Sequence, residues 1–125
     1  MGLLITEGTT VGHPGAPGHD SVPAFHGEAA LNGWKEVVRQ VHAANGAIIP
    51  QLWHVGGTRR PGVGPDKDAP GYSPSGLFKP GKPNGEAMTL KDIQDVIQAF
   101  ADSARAAKEI GFDGVAIHGA HGYLL

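Results

Sequence analysis

The sequence predicts an α/β fold with about three parallel strands and two crossover helices. Three observations carry this. Leu3–Thr6, Ala47–Trp53 and Gly114–His118 are short apolar runs of the kind a parallel sheet buries on both faces. Between them lie two long stretches with an apolar stripe at helical spacing. Glycine (20) and proline (10) are plentiful, and they concentrate in two loops, Gly8–His26 and His54–Met88. Strands that alternate with single-stripe helices imply right-handed crossovers.

The first helix is expected from Glu28 to Asn45, with Leu31, Trp34, Val37, Val38, Val41 and Ala44 on the buried face. Lys35, Glu36, Arg39 and Gln40 face outward, and Gly46 is placed to take a left-handed C-cap. His42 sits at the edge of the apolar face and reads as a packed, hydrogen-bonded histidine. In the next strand, Pro50 has no N–H to give a ladder, so pairing there is expected to be interrupted or at an edge. Arg59-Arg60 in the long loop reads as solvated rather than phosphate-binding. The second helix starts at a capping-box pattern, Thr89-Leu90-Lys91-Asp92, and ends at Gly111. Its stripe is Ile93, Val96, Ile97, Phe100, Ala101, Ala104 and Ala107.

Composition narrows the function. The 125 residues suit a single segment, 1–125, with no separate second domain. A net charge of −2 supplies no basic footprint for nucleic acid. Without cysteine there is no disulfide, thiol nucleophile or Cys-bound zinc. No apolar run is long enough for a membrane span and the N-terminus lacks a signal-peptide pattern, so a cytoplasmic protein is expected. Met1–Thr6 also fits the myristoylation template, but Leu3-Leu4-Ile5 is read as a strand.

In parallel α/β folds, reactive groups stand beyond the C-terminal ends of the strands. Those ends carry Glu7-Gly8, Gln51-Leu52-Trp53-His54 and His118-Gly119-Ala120-His121-Gly122-Tyr123. His118 and His121 admit three readings. They are metal ligands with His54 as a third, neutral donors to a carbonyl or anionic oxygen, or a structural pair. Tyr123 is a phenol, protonated at neutral pH and suited to general-acid work.

The runs Gly2–Gly8, Gln51–Gly56 and Gly111–Leu125 together resemble the Old Yellow Enzyme family of FMN-dependent ene-reductases. The resemblance implies a TIM barrel of eight βα units, of which this chain supplies units two, three and the beginning of four. It implies that the Gly8 backbone and the Gln51 amide contact FMN and that Trp53 lines the substrate pocket. It further implies that His118 and His121 bind the substrate's carbonyl oxygen and that Tyr123 is the catalytic proton donor, with no metal. NADH or NADPH would be the electron donor, and the partner a small α,β-unsaturated molecule. Gly57 departs from the family, which often has Arg there, and the first barrel strand and the FMN phosphate site lie outside the chain. The alternatives are a catalytically inactive barrel fragment acting only through association, and a metal-dependent hydrolase using His54, His118 and His121.

Overall fold

The computed structural model describes residues 2–125; Met1, the first position of the myristoylation template, lies outside them. The chain runs β1 (Leu3–Thr10), α1 (Glu28–Ala43), β2 (Ala47–Trp53), β3 (Tyr72–Ser73), β4 (Leu77–Lys79), β5 (Lys82–Pro83), β6 (Glu86–Ala87), α2 (Leu90–Ile110) and β7 (Ala116–Ile117). The main sheet is parallel, in the order β1-β2-β7. It is the expected open βαβαβ arrangement. Its third strand pairs only at Ala116–Ile117, through Gln51 and Leu52.

Both helices pack on one side of this sheet. Their shared core contains Val38, Ile48, Leu52, Ala99, Ala107 and Phe112, together with Phe25 from the loop after β1. Phe25 meets Phe112 edge-on at 5.5 Å between centroids. Trp34 adjoins both and donates its indole N–H to Ala24 O at 2.9 Å. The capping box forms as expected: Thr89 Oγ1 accepts from Asp92 N, and the Asp92 carboxylate accepts from Thr89 N. Gly111 ends α2 with φ 102°.

Several expectations fail for identifiable reasons. Leu3, Leu4 and Ile5 are exposed, because β1 is an edge strand with helices on one side only. Pro50 lies in the central strand, not at an edge. The expected interruption of the ladder is nevertheless present beside it, where a β1 bulge separates the pairs Ile5–Ile49 and Gly8–Gln51. Thr6 Oγ1 fills the gap by accepting from Gln51 N at 2.9 Å. At the end of α1 the left-handed residue is Asn45 (φ 56°), not Gly46. Asparagine tolerates that region, and Gly46 N–H then closes the turn onto Val41 O at 3.0 Å. On α2 the buried face is rotated toward Val96, Ala99, Ser103 and Ala107, while Ile93, Ile97 and Ala101 stay exposed. Burial of Ser103 is tolerated because its hydroxyl donates to Phe25 O. His42 is hydrogen-bonded to Asp113 at 2.9 Å, yet exposed rather than packed.

The segment His54–Met88 is not featureless. It holds a 3₁₀ turn (Gly56–Thr58) and two miniature sheets, β3 with β6 and β4 with β5. Arg59 is only 2% exposed, which overturns the expectation of a solvated side chain. Its guanidinium donates to Ala69 O (2.9 Å), Pro17 O (2.6 Å), Val63 O (2.6 Å) and Asp66 O (2.8 Å). The rigid fork of donors explains why arginine can be buried among carbonyls. Arg60 remains exposed.

Candidate functional site

The C-terminal ends of β1, β2 and β7 open on one cleft of ≈ 200 Å³. Its wall is formed by Glu7 and Gly8 from β1, Gln51 and Trp53 from β2, and His118 and Tyr123 beyond β7. His19 and Val22, from the loop after β1, close the remaining side. Five of the six residues singled out in the sequence therefore share one surface. The sixth, His121, is exposed beside it, with its ring 5.3 Å from that of His118.

Local geometry explains how the closing segment returns to the cleft. His118 N–H donates to Leu52 O at 2.9 Å and ties the end of β7 to β2. His121 (φ 63°) and Gly122 (φ 69°) are both left-handed, as the centre of a type I′ turn requires. That reversal lays Tyr123 over β2. The phenol ring stands edge-on to Trp53 (5.1 Å, 80°) and to His118 (5.2 Å, 89°).

Polar groups in the cleft are available to a ligand. The Gln51 side-chain amide makes no hydrogen bond among the described residues, so both its donor and acceptor ends are free. The Trp53 indole N–H also lacks a partner among them, but it is buried and has no surface of its own open to the cleft. A buried donor in that condition costs free energy until something accepts from it.

His54 does not join His118 and His121, so the geometry gives the metal-hydrolase alternative no third ligand there. Its Nδ1 accepts from Gly56 N at 3.0 Å and its Nε2 lies 2.9 Å from His13 Nδ1. Both ring nitrogens are thus committed, and no group of three metal-binding side chains occurs among the described residues. Burial pushes His54 down to about 3, with His13 and Arg59 adding to the effect. His13 is lowered too, mainly by burial. His13 and His19 stand in a Gly/Pro-rich loop without periodicity, so no sequence pattern marks them. Only the fold of that loop over β2 brings them near the site.

Parallel strands with crossover helices, and a cleft at the strands' C-terminal ends, define a segment of an α/β barrel whose ligands bind at that face. The chain belongs to the NADH:flavin oxidoreductase / NADH oxidase family, whose profile matches residues 1–125. This is the family anticipated from the strand-end motifs. Among its relatives, 12-oxophytodienoate reductase 7 of Oryza sativa is 37% identical over 99% of this chain and 34% of its own length. Flavin oxidoreductase hxnT of Emericella nidulans is 38% identical, again over 99% of this chain and 34% of its own. The fold superposes on morphinone reductase with a TM-score of 0.87 and 32% identity, covering 98% of this chain and 36% of that one. The chain thus spans about a third of the length of the curated relatives it matches. The sheet seen here is correspondingly part of a (β/α)8 barrel.

Proposed function

We propose that these residues form part of an FMN-dependent oxidoreductase that reduces activated alkenes, such as enones, with NADH or NADPH. In this reading the chain supplies barrel units two, three and the beginning of four. The observation that carries it is the single cleft joining Gly8 and Gln51 to Trp53, His118 and Tyr123. A free primary amide fits the pyrimidine edge of a flavin, which offers both carbonyl and N–H groups. Solved relatives include morphinone reductase in complex with tetrahydroNAD, which supports a nicotinamide electron donor.

Gln51 and the Gly8 backbone hold the flavin ring, and Trp53 forms the wall of the substrate space beside it. When bound, FMN supplies the hydride that enters at the alkene's β-carbon. The His118 and His121 ring N–H groups donate to the substrate's carbonyl oxygen, where negative charge develops as the π electrons shift. Tyr123 then delivers its phenolic proton to the α-carbon. Its edge-on contacts with Trp53 and His118 hold the hydroxyl at a defined place.

Tyr123→Phe in an FMN-loaded barrel carrying these residues tests the reading. The substitution removes only the hydroxyl. Reduction of the flavin by NAD(P)H should be nearly unchanged, and the alkene half-reaction slower by about 10²–10⁴-fold. Stopped-flow traces of the two half-reactions decide it. Equal slowing of both, or of neither, sinks the proton-donor assignment.

A further inference from the structure

We propose that His54 is a positioning residue for Tyr123, acting through the turn at Gly56 and braced from behind by His13. The proposal rests on the reading of Tyr123 as proton donor, but its structural half stands apart from that role.

The chain of contacts begins at His54. Because Nδ1 accepts the Gly56 N–H, the ring's proton must sit on Nε2, which donates to His13 Nδ1. His13 Nδ1 also accepts from Gly15 N at 3.3 Å, so the second ring has its proton on Nε2 as well. Both imidazoles are neutral and each is held in one tautomer. Tyr72 packs edge-on against His13 at 5.1 Å. Arg59 from the long loop, and Asp92 and Asp95 from α2, are the charged groups that act on the pair.

The turn so pinned is the floor under the catalytic segment. His54 O accepts from Leu124 N at 3.3 Å. Gly56 has φ 64°, and a Cβ there would stand 2.6 Å from Leu124 N and 2.9 Å from Tyr123 C. The Tyr123–Leu124 peptide therefore lies directly on a backbone surface that only glycine provides. Among the described residues these contacts and the Trp53 and His118 rings hold the phenol.

The test uses three variants of an FMN-loaded barrel carrying residues 2–125, each read by crystal structure and by both half-reactions. His54→Asn keeps an oxygen where Nδ1 stood, able to accept from Gly56 N–H. It should leave Tyr123 in place and alkene reduction within about threefold of the parent. His54→Phe fills the space without an acceptor. It should displace the phenol and slow alkene reduction at least tenfold, with flavin reduction by NAD(P)H within about twofold. Gly56→Ala should reproduce that pattern with His54 intact. The proposal is overturned if Tyr123 keeps its position in either His54→Phe or Gly56→Ala, or if the Asn and Phe variants slow both half-reactions alike. Should His54→Phe fail to fold, His54→Leu, which likewise offers no acceptor to Gly56 N–H, takes its place with the same expected outcome. A displaced Tyr123 in a protein whose Tyr123→Phe variant is fully active would sink the proton-donor reading and leave the positioning intact.

Discussion

The Trp53 and Tyr123 rings meet edge to face, 5.1 Å between centroids and 80° apart, though they come from the ends of different strands. Gly18 lies behind the indole. A Cβ at Gly18 would fall 2.7 Å from Trp53 Cη2 and 3.0 Å from Val55 Cγ2. The indole is thus trapped between a loop that tolerates no side chain and the phenol it orients.

Gly18→Ala should therefore act through Trp53. Overpacking of this kind costs about 1–3 kcal/mol. A lower denaturation midpoint with altered tryptophan emission is expected, and Tyr123→Leu should add less to the loss in this background than in the parent. Additive losses would show that the two rings are not coupled.

His118 and His121 should not be equivalent. His118 is part of the cleft wall, whereas His121 is exposed beside it. Removing a donor from the oxygen that gains charge costs about 10²-fold or more in hydride transfer. His118→Ala is expected to show that full effect and His121→Ala a smaller one, with both weakening binding of a phenolic ligand. Single-turnover rates and ligand titrations check this, and an equal or reversed order contradicts it.

Arg59 ties the loop after β1 to the long loop through four carbonyl oxygens. Arg59→Met strands those acceptors in a buried place and should cost about 2–4 kcal/mol. Arg59→Lys should recover less than half, since an ammonium lacks the planar fork. Urea denaturation midpoints measure both, and full recovery by lysine would refute the geometric argument.

Stability should fall as the pH drops from 7 to 5. His54 is pushed from the ordinary 6.5 down to about 3 in the folded chain, and His13 is lowered in the same direction. Between those limits the unfolded chain takes up protons that the folded chain does not, so acid favours unfolding. Asp20, Asp92 and Asp113, lowered by hydrogen bonds, contribute the same sign only at more acid pH. His54→Asn should flatten the slope between pH 7 and 5. Parallel slopes for parent and variant would exclude the buried pair as its source.

Much of this was legible in the residues because it is local. The two helices, the Thr89–Asp92 box and the Gly111 cap depend on neighbours within a turn or two, and all formed, although the helices' buried faces differ from the expected stripes. The strand-end motifs were legible for a related reason. Parallel strands put their C-terminal ends on one rim whatever the loops do, which brings Gly8, Gln51, Trp53 and His118 together, whereas Tyr123 reaches the rim through the turn at His121–Gly122.

What the tertiary structure alone decided concerns partners distant in sequence. No pattern announces that His13 will brace His54, or that Pro17 and Ala69 will offer their carbonyls to Arg59. Irregular loops carry no period, and their contacts depend on which groups the packed sheet brings within about 3 Å. The exposure of Leu3, Leu4 and Ile5 belongs to the same class. Apolar character states a preference for burial, whereas burial itself needs a neighbour to cover the surface. By itself the sequence determined the elements, their order and the rim of chemistry they present. The fold decided which loops lie over that rim and the seat on which Tyr123 rests.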